Sequence, residues 1–288
     1  MPDWLARRAA LSPEALALAV DGERITFAEL ERRAQAAAAG LARLGVGPGD
    51  RVAVLAAAGW PYVALLFGAI RRRAILVPLN TRLAPAEIAW QLDDAGAGWL
   101  LYDETTVERA HAAAAGSAGV RRLPLTEALA GEPTTGAVPP IELARLHAIV
   151  YTSGTTGRPK GAMLTYGNHW WSAIASMLNL GLRADDRWLI CLPLFHVGGM
   201  SILFRSVIGG FGSVLHASFQ PDAVNRAIDE GVTIVSVVSV MLSRMLAARS
   251  GRPYPAWFRC ALTGGGPVPA ELLEACVRAA IPVAQTYG

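Results

Sequence analysis

Short apolar runs alternate with longer segments in which apolar residues recur at helical spacing. Residues 15–20 and 23–27 read as two strands joined by Asp21-Gly22, a dipeptide that favours a tight hairpin turn. Thr26 followed by Glu29 has the form of a capping box. The helix it opens runs to about Leu44, where Gly45, Gly47, Pro48 and Gly49 stop it. The pattern then predicts strands over 51–55, 74–78 and 99–102, with helices over 61–72 and 84–95 between them.

Strands that alternate with helices argue for βαβ units, in which parallel sheets are covered on both faces. The periodicity weakens over 120–140, where Pro, Gly and Thr cluster, and this stretch reads as a surface excursion. Residues 147–151 form a strand that enters a glycine-rich loop. Further strands are predicted over 188–193, 213–215, 234–238, 259–263 and 281–286, and no internal repeat is present. The expected fold is α/β, with two doubly wound, mostly parallel-sheet subdomains. One spans 51–184; the other combines 1–50 with 185–288.

Composition narrows the picture only in places. A hydrophobic fraction of 53% against 17% charged residues excludes a disordered chain, and 288 residues suffice for a sizeable core. The net charge of +3 comes from 25 arginines and one lysine, Lys160, against 23 acids. The only tight basic run, Arg71-Arg72-Arg73, follows an apolar stretch and reads as a cationic helix C-terminus, so no nucleic-acid partner is expected. Cys191, Cys260 and Cys276 have no metal-ligand spacing and read as core residues, and no metal site is expected among the residues of this chain. The N-terminus lacks a signal-peptide pattern, and no apolar run reaches the ~18 residues of a membrane span, which suggests a cytoplasmic protein.

The richest chemistry lies between Tyr151 and Gly161. Thr152, Ser153, Thr155 and Thr156 offer hydroxyls, Gly154 and Gly157 permit close backbone approach, and Lys160 adds a point charge. The set suits a polyphosphate, although a Ser/Thr/Gly-rich surface turn has the same composition. It is not a Walker A loop, because Pro159 stands where that motif needs glycine. The single lysine in an arginine-rich chain falls inside this segment. Ammonium and guanidinium are not interchangeable at a phosphate, so the position favours the phosphate reading.

This loop resembles the phosphate-binding signature of the AMP-forming adenylating enzymes, which include acyl-CoA synthetases, adenylation domains and luciferases. The string Leu192-Pro-Leu-Phe-His196-Val-Gly-Gly199 is similar to their aromatic/His pocket motif. Gly264-Gly265-Gly266-Pro267 and Gln285-Thr286-Tyr287-Gly288 resemble their adenine-side segments. Within that family, residues 165–170, 186–199 and 236–242 look most like the ligases that act on o-succinylbenzoate in menaquinone synthesis.

The resemblance implies ATP with Mg²⁺ as cofactors, a small carboxylic acid and CoA as partners, and a reaction through an acyl-adenylate. It implies that Thr152, Ser153, Gly154, Thr155, Thr156, Gly157 and Lys160 hold phosphates. Gly264, Gly265, Gly266, Pro267, Gln285, Thr286, Tyr287 and Gly288 would line the nucleotide. His196 and Gly199 would face the acid, with Lys160 and His196 as the catalytic pair. Arg205 is the candidate cation for a second carboxylate, or else a solvated helix arginine. Tyr287-Gly288 precede, in the family, an acidic residue that assists Mg²⁺ and a C-terminal domain with a catalytic lysine. The chain is therefore expected to be the N-terminal part of such a ligase, inactive alone. Ligases for another aryl or fatty acid, or a nucleotide-binding half that needs a partner chain, remain as alternatives.

Overall fold

The computed structural model describes residues 1–117, 119–133, 138–152 and 159–286. Its first third contains α1 (Trp4–Leu11), β1 (Leu16–Val20), β2 (Glu23–Thr26), α2 (Phe27–Arg43), β3 (Arg51–Leu55), α3 (Trp60–Arg71), β4 (Ile75–Pro78), α4 (Pro85–Ala95) and β5 (Trp99–Tyr102). Then come α5 (Val107–Ala115), β6 (Arg121–Pro124), α6 (Leu125–Leu129), β7 (Leu146–Thr152), β8 (Lys160–Thr165), α7 (Tyr166–Leu180) and β9 (Arg187–Ile190). The last third holds α8 (Val197–Gly209), β10 (Gly212–Leu215), α9 (Pro221–Asp229), β11 (Ile234–Val237), α10 (Ser239–Arg249), β12 (Cys260–Thr263), α11 (Ala270–Arg278) and β13 (Val283–Gln285).

The strands form two sheets. One has six strands in the order β6-β5-β3-β4-β7-β8; the other has seven, β13-β12-β11-β9-β10-β1-β2. Every pairing is parallel except β1 with β2 and β7 with β8. Burial on both faces explains the unbroken apolar runs: β4, β11 and β12 are buried at every position. The β1–β2 hairpin turns on Asp21 and Gly22, at φ of 50° and 80°, as a primed turn requires.

Several elements differ from the sequence expectation. The supposed excursion contains β6, which pairs with β5, and α6, whose Leu125 and Ala128 are buried beneath α2. Its turn residues hide two very short elements. β8 follows the glycine-rich loop and returns antiparallel on β7, with Lys160 opposite Thr152. It shows no alternation because it is largely exposed at the sheet edge. The helices α1 and α5 were unmarked by any strong apolar stripe.

The two layers meet through helices. α2 and α3 pack so closely at Gly68 that a Cβ there would lie 2.6 Å from the Ala37 Cβ. α1 crosses to α8, where Arg8 donates to the carbonyls of Val207 (3.1 Å) and Ile208 (2.9 Å) at its C-terminal end. These contacts fix α8, which walls the cavity described below.

Candidate functional site

Parallel strands end together, and their carboxyl ends leave a crevice where open α/β sheets bind ligands. Here the segments leaving β9, β11, β12 and β13 supply Leu192, Pro193, Val238, Gly264, Gly265 and Thr286 to one cavity of about 820 Å³. α7 and α8 close its side. The floor is apolar, built from Leu192, Val197, Val237, Val238 and Leu262, while α7 and α8 add Ser172, Ser176, Asn179, Ser201 and Arg205.

Among the described residues, Arg205 is the one cation on this wall. Its guanidinium carbon stands 5.1 Å from the ring centroid of Trp188, and its Nε is buried with no hydrogen-bond partner among the described residues. Burial lowers its pKa to about 10, so it stays charged at neutral pH. Among the described residues no carboxylate is paired with it. A half-buried charge without a partner carries a desolvation cost, and an anionic ligand offsets that cost.

His196 lies on the cavity wall at the N-cap of α8, whose first turn is closed by Gly199 and Met200 N–H groups donating to the His196 carbonyl at 3.1 Å. Partial burial lowers the imidazole pKa, so the ring is neutral at pH 7. Gly198 shares the wall, but Gly199 does not. A Cβ on Gly199 would stand 2.5 Å from the Pro193 carbonyl and 2.6 Å from that of Leu192. Its glycine serves close packing of α8 on the preceding turn.

Gly264 and Gly265 line the cavity, whereas Gly266 and Pro267 are exposed beyond it. A Cβ on Gly264 would meet the Thr286 hydroxyl at 2.6 Å, and Gly265 has φ of +80°. Both backbone demands account for glycine there. Gln285 and Thr286 line the same side, where Thr286 N–H donates to the Thr263 carbonyl at 2.8 Å. Thr152 and Lys160 are exposed at the open end of the β7–β8 ladder. Ser153, Gly154, Thr155, Thr156, Gly157, Tyr287 and Gly288 lie outside the described residues.

Sequence reasoning missed the α7 wall. Ser172, Ser176 and Asn179 stand at helical spacing in an otherwise apolar segment, and that polar stripe was the available signal. The structure also gives ring-nitrogen partners to His147 and His111. His147 Nδ1 lies 3.0 Å from His169 Nε2, and His111 Nε2 lies 3.1 Å from the Tyr102 hydroxyl. A pairing across 22 residues is invisible to local pattern. Among the described residues no group of three or more His, Cys, Asp or Glu is placed to hold a metal ion, and no helix is long and apolar enough to cross a membrane.

The family described as AMP-binding enzyme matches residues 5–288. The chain belongs to that family. It is 43% identical over its whole length to a 2-succinylbenzoate–CoA ligase of Bacillus cereus. Among solved structures it is similar to the o-succinylbenzoate CoA synthetase of Bacillus subtilis in complex with the acyl-adenylate intermediate OSB-AMP, at TM-score 0.92 and 39% identity, with all of this chain and 58% of that one covered. The same synthetase in complex with ATP and magnesium ion matches at TM-score 0.91 and 38% identity, with all of this chain and 60% of that one covered. The chain spans 58% of the length of the curated relative it matches. Family membership and the fold thus agree with the resemblance carried by the loop and pocket strings.

Proposed function

We propose that this chain carries the nucleotide- and acid-binding part of an ATP-dependent o-succinylbenzoate–CoA ligase. The observation that carries the reading is Arg205, a charged guanidinium on the wall of a cavity with an apolar floor, with no anion beside it among the described residues. A substrate that is adenylated through one carboxylate and keeps a second meets that need. A plain fatty acid would leave the arginine unpaired.

In this reading one carboxylate attacks the α-phosphorus of ATP and pyrophosphate leaves, giving the acyl-adenylate; a CoA thiol then displaces AMP. Charge gathers on the phosphates, so fixed donors supply most of the stabilisation. Thr152 and Lys160 hold the β- and γ-phosphates together with Ser153, Gly154, Thr155, Thr156 and Gly157, and Mg²⁺ enters with ATP. Gly264 and Gly265 leave room for the adenylate, with Gly266, Pro267, Gln285, Thr286, Tyr287 and Gly288 on the adenine side. Neutral His196 donates a hydrogen bond to the reacting acyl group, and Gly199 keeps α8 close enough for it to do so. Residues 51–184 form one subdomain; 1–50 with 185–288 form the other.

The test is equilibrium binding of non-hydrolysable acyl-adenylates to this chain. The o-succinylbenzoyl analogue is expected to bind at least tenfold more tightly than AMP and than a fatty-acyl analogue. Equal or tighter binding of the fatty-acyl analogue would overturn the substrate assignment.

A further inference from the structure

We infer that His169 is a positioning residue for the acid cavity, acting through its hydrogen bond to His147. The inference rests on the aryl-acid reading above. His169 is on α7 and His147 is on β7, the strand that ends at Thr152. Phe204 on α8 packs against both rings, at 4.4 Å from His169 and 5.2 Å from His147. Three elements that surround the site therefore meet at one pair of imidazoles.

The hydrogen bond restricts how α7 can roll. Residues three and seven positions apart share a helix face, so His169, Ser172 and Ser176 lie along one stripe. The first is buried against His147; the other two line the cavity. Phe204 precedes Arg205, so a ring fixed by the two imidazoles also fixes the turn that presents the guanidinium. His147 is fully buried, and its Nε2 has no partner among the described residues. An unpaired buried N–H is the rarer fault, so the favoured tautomer has His147 Nδ1–H donating to His169 Nε2. A buried polar group is costly where a partner is missing, whereas a hydrogen-bonded pair rigidifies the core and specifies its geometry. An apolar residue would fill the same space between Tyr166 and Phe204 without that cost.

The experiment compares His169→Phe, His147→Leu and His169→Gln with the parent chain. The glutamine amide keeps an acceptor near the position of Nε2. Binding of the o-succinylbenzoyl-adenylate analogue and of AMP is measured for each, with thermal melting as the folding control. His169→Phe and His147→Leu are each expected to weaken the analogue about tenfold, a loss typical of a displaced recognition group. AMP should stay within twofold, and His169→Gln should restore the analogue to within threefold of parent. A parent that binds the analogue no better than AMP removes the aryl-acid reading and this inference with it. With parental discrimination intact, the positioning role alone is overturned by any of three results: unchanged analogue binding in both variants, an equal loss of AMP binding, or no rescue by glutamine. If His169→Phe does not fold, His147→Leu decides; if neither folds, the pair is a stability element and the inference fails.

Discussion

The guanidinium of Arg205 stands over the indole of Trp188, which is itself tied to β11 by a 2.9 Å hydrogen bond from its Nε1 to the Ser236 hydroxyl. The arginine is thus held by stacking rather than by a carboxylate, leaving its donors for a ligand. Arg205→Met should therefore separate stability from binding. Removing an uncompensated, half-buried charge is expected to leave the melting temperature unchanged or higher. Affinity for the o-succinylbenzoyl-adenylate analogue should fall at least tenfold, since charge-assisted hydrogen bonds contribute about 1.5–3 kcal/mol. Calorimetric titration beside a melting curve checks both arms.

Gly199 and Gly266 give a contrasting pair. Gly199→Ala places a Cβ 2.5 Å from a backbone carbonyl that cannot give way, so α8 must shift. Overpacking of this kind costs about 1–3 kcal/mol. Gly266→Ala meets nothing within 4 Å and should be nearly neutral. Urea midpoints of the two variants measure the difference.

The same glycine shows how far the sequence could be read. The string 192–199 located the wall of the cavity, because His196 and Gly198 lie there, but could not tell a lining glycine from a packing one. That distinction depends on where the Leu192 and Pro193 carbonyls turn. Strands buried on both faces, such as β3 and β5, were legible because their apolar runs have sharp ends. Exposed β8 and the five-residue α6 lacked such runs, and partner-dependent features such as His147 with His169 have no local signal at all.

That imidazole pair makes the fold sensitive to acid. Burial lowers the His169 pKa to about 4, and burial with the neighbouring ring lowers that of His147 well below its usual value. In the unfolded chain both take up protons below about pH 6.5, while the folded pair stays neutral, so stability falls as pH drops from 6.5 towards 4. Each histidine contributes a slope of about 1.4 kcal/mol per pH unit in that window. The groups that face the pair from adjoining elements are Tyr166 beside His147 and, around Tyr166, Asp3, Arg73 and Arg145. Asp3 opposes the trend, since burial raises its carboxyl pKa and proton uptake there favours the fold as pH falls. Urea unfolding at pH 7.0 and 5.0 should show the loss, and His147→Leu should flatten it.

At the amino-terminal ends of the inner strands β9, β11 and β12, Asp186 is buried and held by a fork from Arg259, with Nε at 2.7 Å, and by the Thr233 hydroxyl at 2.7 Å. Burial works to raise this carboxyl, but the Arg259 fork, the Arg183 N–H and Thr233 together hold it below its usual value. Arg259 also donates to the Leu180 carbonyl at 2.8 Å, fastening the end of α7. Arg259→Leu would strand the carboxylate, and breaking such a pair costs about 3–5 kcal/mol. Stabilities of Arg259→Leu and of Arg259→Leu with Asp186→Asn separate the two effects; the double variant should regain part of the loss.

Lys160 tests the nucleotide side. It opens β8 opposite Thr152, its side chain is exposed, and among the described residues it makes no ion pair. Replacing it should leave folding unchanged, so any effect reports on the ligand. A compact ammonium and a planar fork approach a phosphate differently, and Lys160→Arg is therefore not a conservative change. If the ammonium meets the β- or γ-phosphate, Lys160→Arg weakens ATP·Mg²⁺ binding about fivefold and Lys160→Ala further, in line with loss of a charged contact. AMP lacks both phosphates and should bind all three proteins equally. Parental ATP affinity in Lys160→Ala would mean that the chain's single lysine does not touch the nucleotide.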